Sequence, residues 1–340
     1  MKKPIKEGAN TPKKEQKPRA PVTPISEPAL PMLLVAITFV ICLVTLIINK
    51  FIYPIGKELL APVILQIVAL VIPAYLAIML TAGEKGIFSQ MRGIGFRSFS
   101  VEHVFFVIFT SLFAACASLL LTLAFGGAYD ASNGVMLLGS FTAGENEYTV
   151  SIPYIILTYA VIPAFAEELL FRGVIFSRLE KISFPFAALV STVFYALAGF
   201  TLGGLIPYLF TGALLVFVLY TTGSLWPCVI VHFVLNVYRL FLETNISAYF
   251  LASSNDLLLI ITVLLALAIS SLLFFSESAK IFRKKARAVA DCKLPGTSRL
   301  DGIKDIPGKI RASLAFKPTL ICLIICLSVF VITLGLNYWF

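Results

Sequence analysis

Histidine and charged residues are scarce in this sequence. It contains two histidines, His103 and His232, and only 13% of its residues are Asp, Glu, Lys or Arg. A hydrolytic zinc ion usually takes three protein ligands, so two histidines disfavour a histidine-rich zinc site. The six cysteines include no Cys-x-x-Cys pair, and we therefore predict neither a cysteine zinc site nor structural disulfides.

Hydrophobic residues, by contrast, make up 59% of the chain, and the mean hydropathy is +0.94. Soluble domains are nearer about 45–50% apolar. A membrane-spanning helix needs about 20 consecutive apolar residues, and runs of about that length recur along the chain. They predict an all-α, polytopic membrane helix bundle with about nine transmembrane helices. The predicted spans are 32–54, 60–82, 101–125, 153–179, 184–202, 204–221, 225–246, 256–276 and 318–338.

Positive charge is distributed unevenly between the predicted loops. Loop 277–317 carries eleven Lys or Arg against four acids, whereas loop 126–152 has three acids and no Lys or Arg. Cytoplasmic loops carry an excess of Lys and Arg. We therefore predict a multi-pass cell-membrane protein with a cytoplasmic N-terminus and an extracytoplasmic C-terminus. The basic loop 277–317 is also a candidate contact for anionic lipid, and no nucleic-acid partner is predicted.

The spans and loops divide the chain into seven predicted segments. They are a disordered basic cytoplasmic tail (1–30), three peripheral transmembrane helices (31–125), an extracytoplasmic loop (126–152), a helical core (153–246), a transmembrane helix (247–276), a basic cytoplasmic loop (277–317) and a C-terminal transmembrane helix (318–340).

Two adjacent acids and an arginine interrupt the fourth predicted span. Charges at membrane depth cost roughly 2.5–3.5 kcal/mol each, so they tend to be paired and functional. Glu168 and Arg172 are four residues apart and share one helical face, with the acid first. Glu167 lies about 100° around the helix from Glu168. One interpretation is that Arg172 neutralises Glu168 and leaves Glu167 as the working carboxylate; the other is a purely structural salt-bridge cluster.

The seventh predicted span carries a polar stripe at a similar depth. His232 and Asn236 are four residues apart, and Arg239 continues the same face. In a membrane such a stripe must face protein or water, and the carboxylate face of the fourth span is the obvious partner. Arg239 also has Glu243 four residues later, which favours an interfacial ion pair for that end of the stripe.

These residues are compatible with amide hydrolysis, with a purely structural role, or with a metal site. A buried carboxylate can act as a general base toward water, and an imidazole with an amide can stabilise an oxyanion, so Glu167, His232 and Asn236 could hydrolyse an amide. Alternatively, His232 and Asn236 only hydrogen-bond neighbouring helices. No cofactor is predicted. A metal, zinc if any, is the less favoured alternative, with Glu167, Glu168 and His232 as its ligands.

Three short patterns in this region resemble those of the type II CAAX prenyl protease and bacteriocin-processing family, also called Abi or CPBP. Glu167, Glu168 and Arg172 match its Glu-Glu-x-x-x-Arg motif, and His232 with Asn236 matches His-x-x-x-Asn. The middle motif, Phe-x-x-x-His, falls at Phe194 to Ala198, with alanine in place of the histidine. The patterns cover roughly residues 153–246.

The resemblance implies an intramembrane endopeptidase in which Glu167 is the general base and His232 with Asn236 stabilises the tetrahedral intermediate. Its substrate would be a membrane-associated peptide or lipidated protein, either prenylated or leader-bearing. In the family the middle histidine helps hold the attacking water, and the side chain of Ala198 cannot. Tyr195, three residues earlier, either replaces it or simply packs, and packing is the favoured interpretation.

Two other functions remain open at this point. The missing histidine is consistent with a catalytically degenerate family member that acts as a membrane scaffold or a bacteriocin-immunity protein. The polar stripe is also compatible with a small-solute transporter, although no repeat relates the two halves of the chain, as such folds often require.

Overall fold

A computed structural model gives the fold of residues 36–37, 40–41, 44, 63, 66–82, 87–125, 152–180, 184–199, 202–243, 245–246, 256–292 and 317–339. Within these ranges the chain forms helices and connecting turns, with no strand. The predicted tail 1–30, nearly all of span 32–54 and nearly all of loop 126–152 lie outside the described residues.

The helices agree closely with the predicted spans from residue 66 onward. The helices, numbered along the chain, are α1 (Ile67–Val71 continuing as Ile72–Ala82), α2 (Ile87–Gly93), α3 (Val104–Phe125, after a turn at Val101–His103), α4 (Ile152–Leu179), α5 (Phe184–Leu197), α6 (Leu205–Thr222), α7 (Leu225–Tyr238, extended by Arg239–Glu243), α8 (Asp256–Cys292) and α9 (Lys317–Trp339).

Five of these helices are long and apolar enough to cross a membrane: α3, α4, α6, α7 and α8. On α8, large apolar side chains such as Leu257, Leu265 and Leu272 are exposed. Exposed apolar area on this scale is typical of a membrane-facing surface. The molecule is therefore an all-α, multi-pass membrane helix bundle, as predicted.

Two helix boundaries differ from the prediction. α5 ends at Leu197, five residues before the predicted end at 202, and the turn that follows contains Gly199. α8 continues to Cys292 instead of stopping at 276. Its extension is rich in Lys, Arg and Ala, which favour helix, and Lys284 on it forms an ion pair with Glu102 next to α3.

Proline shapes the helix that carries the two acids. In α4, the π-helical turn Leu157–Val161 gives way to α-helix at Ile162–Glu168, with Pro163 in its first turn. Proline has no N–H and its ring clashes with the carbonyl four residues earlier, which a wider π turn accommodates. The same pattern occurs in α1, where the π turn Ile67–Val71 precedes Pro73.

The turn between α6 and α7 holds the start of α7 in place. Gly223 ends α6 in a left-handed conformation, with φ of 68°, which glycine adopts without a steric penalty. Ser224 then caps α7 by accepting from the N–H of Trp226 at 3.4 Å, and its hydroxyl donates to the carbonyl of Arg97 at 2.5 Å. The N–H of Leu225 donates to the Gly95 carbonyl at 2.8 Å. The first turn of α7 is thus held against residues 95–97.

The core of the bundle forms around α4. This helix packs against α1, α5 and α7, while α3 packs against α6, α7 and α8. Consecutive residues from Leu169 to Phe176 are all buried, so every face of this part of α4 is covered by protein. Arg172 lies within this covered stretch, and Glu168, directly before it, is also fully buried.

Candidate active site

Arg172 and Glu168 form a fully buried ion pair within α4. The guanidinium Nη1 donates to Glu168 Oε1 at 2.9 Å, and both side chains have 0% exposure. Arg172 Nη2 also donates to the carbonyl of Gly212 in α6 at 3.2 Å. The pairing agrees with the four-residue spacing, and the contact with Gly212 ties the ion pair to a neighbouring helix.

His232 of α7 also meets this pair. Its Nδ1 lies 2.9 Å from Glu168 Oε1. A carboxylate oxygen can only accept, so Nδ1 carries a proton and donates it. The other nitrogen, Nε2, therefore accepts in the neutral ring, and it becomes a second donor when the ring is protonated. Glu168 thus fixes both the tautomer and the orientation of the imidazole.

The Nε2 side of His232 faces the second acid. Glu167 Oε2 lies 3.7 Å from His232 Nε2, slightly beyond direct hydrogen-bond length, at a separation where a bridging water is considered. The Glu167 side chain is 27% exposed, whereas that of Glu168 is fully buried. The two adjacent acids therefore have different environments: Glu168 is buried against the side chains of Arg172 and His232, and Glu167 is partly exposed.

Tyr195 of α5 contributes a hydroxyl to the same place. Its OH lies 3.3 Å from His232 Nε2 and donates to that nitrogen when the ring is neutral. Its ring also packs, since the guanidinium carbon of Arg172 lies 4.3 Å above the ring centroid and Phe171 meets the ring edge-on. The sequence favoured packing alone, whereas the structure shows packing and a hydroxyl in contact with His232.

The other two positions of the middle motif, Phe194 and Ala198, pack in the hydrophobic core. Phe194 is 2% exposed and belongs to the hydrophobic core. Ala198 follows the last residue of α5, donates its N–H to the Phe194 carbonyl at 3.0 Å and packs against the core. Its methyl side chain supplies no hydrogen-bonding group at the position where the related family has an imidazole.

Asn236 lies one turn further along α7 and points to a backbone group. Its Nδ2 donates to the carbonyl of Ala160 in the π turn of α4, at 3.5 Å. The amide therefore stands beside the helix that carries Glu167, but its hydrogen bond among the described residues is to the main chain. It links α7 to α4 in this structure.

Arg239 is directed into the bundle. Its Nη2 lies 3.3 Å from Ser118 Oγ on α3 and 3.4 Å from Thr211 Oγ1 on α6, and the guanidinium lies over the ring of Tyr208. The sequence favoured an interfacial pair of Arg239 with Glu243. The contacts with α3 and α6 show in addition that the polar stripe of α7 faces protein, as exclusion from lipid requires.

The donor set offers little to a metal ion. Among the residues that the structure describes, no group of three His, Cys, Asp or Glu side chains is arranged to hold one. Glu167, Glu168 and His232 are the nearest approach to such a set. Glu168 Oε1 already accepts hydrogen bonds from Arg172 and His232, and His232 could bind an ion only through Nε2, because its Nδ1 carries a proton.

Two features of the site had weak or no signals in the sequence. The Tyr195 hydroxyl was signalled only by its position one turn before Ala198. The Gly212 carbonyl that accepts from Arg172 had no signal, because every residue has a carbonyl and only the packing of α6 selects this one.

Comparison with known proteins gives matches for the segment that contains this site. Residues 149–238 match the family described as type II CAAX prenyl endopeptidase Rce1-like. A curated protein of Bacillus subtilis (strain 168), named "Putative membrane peptidase YdiL", is 27% identical over 113 residues. That alignment covers 33% of this chain and 46% of the relative, so the chain spans less than half of the relative's length. No solved structure matches the chain significantly.

The matched segment begins just before α4 and ends within α7, and it includes Glu167, Glu168, Arg172, Tyr195 and His232. The resemblance predicted from the motifs is therefore confirmed: over residues 149–238, this multi-pass membrane protein matches the family described as type II CAAX prenyl endopeptidase Rce1-like.

Proposed function

We propose that this chain is an intramembrane endopeptidase in which Glu167 activates a water molecule to attack a peptide bond. The observation that carries the proposal is the convergence of Glu167 and Tyr195 on Nε2 of a histidine whose other nitrogen is held by Glu168. An oriented imidazole beside a partly exposed carboxylate is the arrangement that general-base hydrolysis of an amide needs.

In the proposed reaction, Glu167 takes a proton from water, and the hydroxide adds to the carbonyl carbon of the peptide bond. The negative charge that develops on the carbonyl oxygen lies next to the Nε2 side of His232. When that ring is protonated, Nε2–H donates to the oxyanion while Glu168 stabilises the imidazolium through Nδ1. Glu167 then passes its proton to the departing amine nitrogen, and the C–N bond breaks.

Tyr195 and Asn236 have supporting roles in this proposal. The Tyr195 hydroxyl fills part of the place that Ala198 leaves without a polar group, and it donates to Nε2 or to the oxyanion. Asn236 has a second N–H besides the one directed to Ala160, and this second donor is the one available to the intermediate. The substrate is proposed to be a membrane-associated peptide or lipidated protein, prenylated or leader-bearing, by analogy with the family.

The test is hydrolysis of a prenylated peptide and of a leader-bearing peptide by the purified chain in detergent. Glu167→Gln keeps the size of the side chain but removes the base, and we expect turnover to fall by about 10³-fold or more. The matched control is Glu277→Gln on α8. Glu277 forms an ion pair with Lys280 and is not part of the candidate site. Equal turnover by the wild type and Glu167→Gln would sink the proposal.

A second function, a catalytically inactive scaffold or immunity protein, is supported by one observation. α5 ends at Leu197, and Ala198 carries no polar group toward the site. The variant Ala198→His separates the two candidates. If hydrolysis occurs only in this variant, the natural protein is inactive; if the wild type already hydrolyses the peptide, the scaffold function alone is excluded.

A further inference from the structure

A cavity of about 300 Å³ lies at the end of the bundle where α4 and α6 finish and α8 extends past them. The polar side chains that line it are Arg97, Arg172, Ser177, Glu180, Tyr220 and Lys285. Its apolar wall includes Phe176 and Leu219. The size is at the lower end of the range found for small-molecule sites, about 300–1,000 Å³.

The charge around this cavity is mainly positive. Arg97, Arg172 and Lys285 line it together with one acid, Glu180. Because Arg172 is already paired with Glu168, the excess positive charge comes from Arg97 and Lys285. Among the residues that the structure describes, the buried Nε of Arg172 has no hydrogen-bond partner. A buried donor of this kind is rare in native structures and calls for an explanation such as a missing ligand.

The two other cations are held so that they remain at the cavity. Arg97 donates from Nε to the carbonyl of Arg92 at 3.0 Å, a bond that leaves both terminal amino groups of its guanidinium available. Lys285 Nζ donates to the carbonyl of Thr221 at 2.5 Å and to that of Tyr220 at 3.3 Å, at the end of α6. These bonds fix the positions of both charges beside the cavity.

The position along the bundle indicates the kind of anion. Glu102 at the start of α3 and Lys284 on α8 lie at this same end, which the charge distribution predicts to be cytoplasmic. Phospholipid phosphates lie at the membrane surface, where spanning helices end, and anionic lipid is drawn to clusters of Lys and Arg. Arg is suited to phosphate because its N–H groups form paired bonds with phosphate oxygens.

We propose that this cavity binds a phosphate group, supplied by the headgroup of an anionic phospholipid. Arg97 and Lys285 contact the phosphate at the mouth of the cavity. The apolar wall packs against the part of the lipid that adjoins the phosphate, where the acyl chains begin. Soluble phosphate compounds present the same chemistry. The proposal does not depend on peptidase activity.

The test is a lipid titration of the full chain, purified in a neutral detergent, followed by native mass spectrometry. Phosphatidylglycerol is the anionic probe, phosphatidylcholine the zwitterionic one, and inorganic phosphate the soluble one. The cavity variant is Arg97→Gln with Lys285→Gln. The matched control is Lys280→Gln with Arg283→Gln, which removes the same charge from α8 outside the cavity.

We expect phosphatidylglycerol to bind the wild type more tightly than phosphatidylcholine, and the cavity variant to bind it about fivefold or more weakly than the control variant. Inorganic phosphate binding with the same dependence on the cavity variant, and no preference for phosphatidylglycerol, would support the phosphate site with a soluble source. Equal weakening by both double variants would mean a general surface-charge effect and would overturn the proposal, as would the absence of any preference for either phosphate probe.

The unfolding temperature of each variant without lipid shows whether the substitutions preserve the fold. If the double cavity variant does not fold, the exposed single variant Arg97→Gln decides in its place. We then expect a loss of about twofold or more relative to Arg283→Gln, and an equal affinity of these two single variants would overturn the proposal.

Discussion

Glu168 holds two neighbours with a single carboxylate oxygen. Its Oε1 accepts from Arg172 and from His232, and all three side chains are almost completely buried. The ion pair within α4 is therefore also the support that orients the imidazole of α7. The two adjacent acids differ accordingly: Glu168 is fully buried between its two partners, and Glu167 remains partly exposed.

Breaking the buried pair is expected to destabilise the protein. Arg172→Ala leaves the Glu168 carboxylate buried with only His232 as a partner, and we expect the free energy of unfolding to fall by about 3–5 kcal/mol. Thermal or chemical unfolding in detergent measures the change. The control Arg283→Ala removes an exposed arginine and should stay within about 0.5 kcal/mol. Equal stability of the two variants would contradict a structural role for the pair.

Removing one oxygen atom tests the role of Tyr195. Tyr195→Phe keeps the ring against Arg172 and Phe171 but deletes the hydroxyl beside His232. We expect kcat/KM for peptide hydrolysis to fall by about 100-fold, the usual effect of losing one donor at a developing oxyanion, with little change in stability. The control is Tyr238→Phe, because Tyr238 packs against a separate, small hydrophobic cluster that contains Leu119 and Leu259. Unchanged activity would show that Tyr195 only packs.

At the scale of whole helices, α5 and α6 approach each other at Gly212. A Cβ at this position would lie 3.1 Å from Thr192 Cγ2 and 3.2 Å from Tyr195 Cδ1, closer than carbon atoms normally pack. The carbonyl of the same glycine accepts from Arg172. The absence of a side chain at Gly212 thus lets α6 come close enough to contact the buried ion pair.

Alanine at Gly212 tests this approach. In a helix interior, Gly→Ala alone stabilises by roughly 1 kcal/mol, and Gly335→Ala on α9, where a Cβ meets nothing within 4 Å, should show that gain. Gly212→Ala should lack it and lose about 1–3 kcal/mol through the forced shift of α6. Unfolding measurements on the two variants give the comparison. A similar gain in the free energy of unfolding at both positions would mean that α5 and α6 can move apart at Gly212 without a cost.

At the scale of the whole molecule, the ends of several helices come together around the basic part of α8. Lys284 forms an ion pair with Glu102 before α3, and Lys285 binds the last carbonyls of α6. One end of the bundle therefore collects positive charge. This arrangement agrees with the positive-inside pattern of the loops, in which 277–317 is the most basic loop.

The orientation in the membrane remains a prediction, and reporter fusions test it. With this basic end in the cytoplasm and one further crossing by α9, the C-terminus is extracytoplasmic. We expect alkaline phosphatase fused after Phe340 to be active and a green fluorescent protein fused there to be dark. Fusions after Cys292 should give the opposite result, because that position lies on the basic side. Matching results at both positions would contradict the predicted crossing by α9.

Much of this molecule follows from its sequence alone. Apolar runs of membrane-spanning length gave the helices from α3 to α9 to within a few residues at most boundaries, because a helix in lipid must satisfy its own backbone and be apolar throughout. The four-residue spacing of Glu168 and Arg172 gave their ion pair, since such residues share a helical face. The motifs likewise gave the family relationship of the segment around α4 to α7.

The tertiary structure alone decided how the site is assembled. The polar stripe of α7 predicted that it faces the acids of α4, but which atoms meet depends on the packing of helices that are far apart in sequence. Only the fold shows that Glu168 takes His232 as well as Arg172, that the Tyr195 hydroxyl reaches the imidazole, and that Asn236 turns to the Ala160 carbonyl. Side chains such as Glu and Arg have three or four rotatable bonds and can reach many positions. Which partner they bind is decided only when the packing of the helices places that partner within reach.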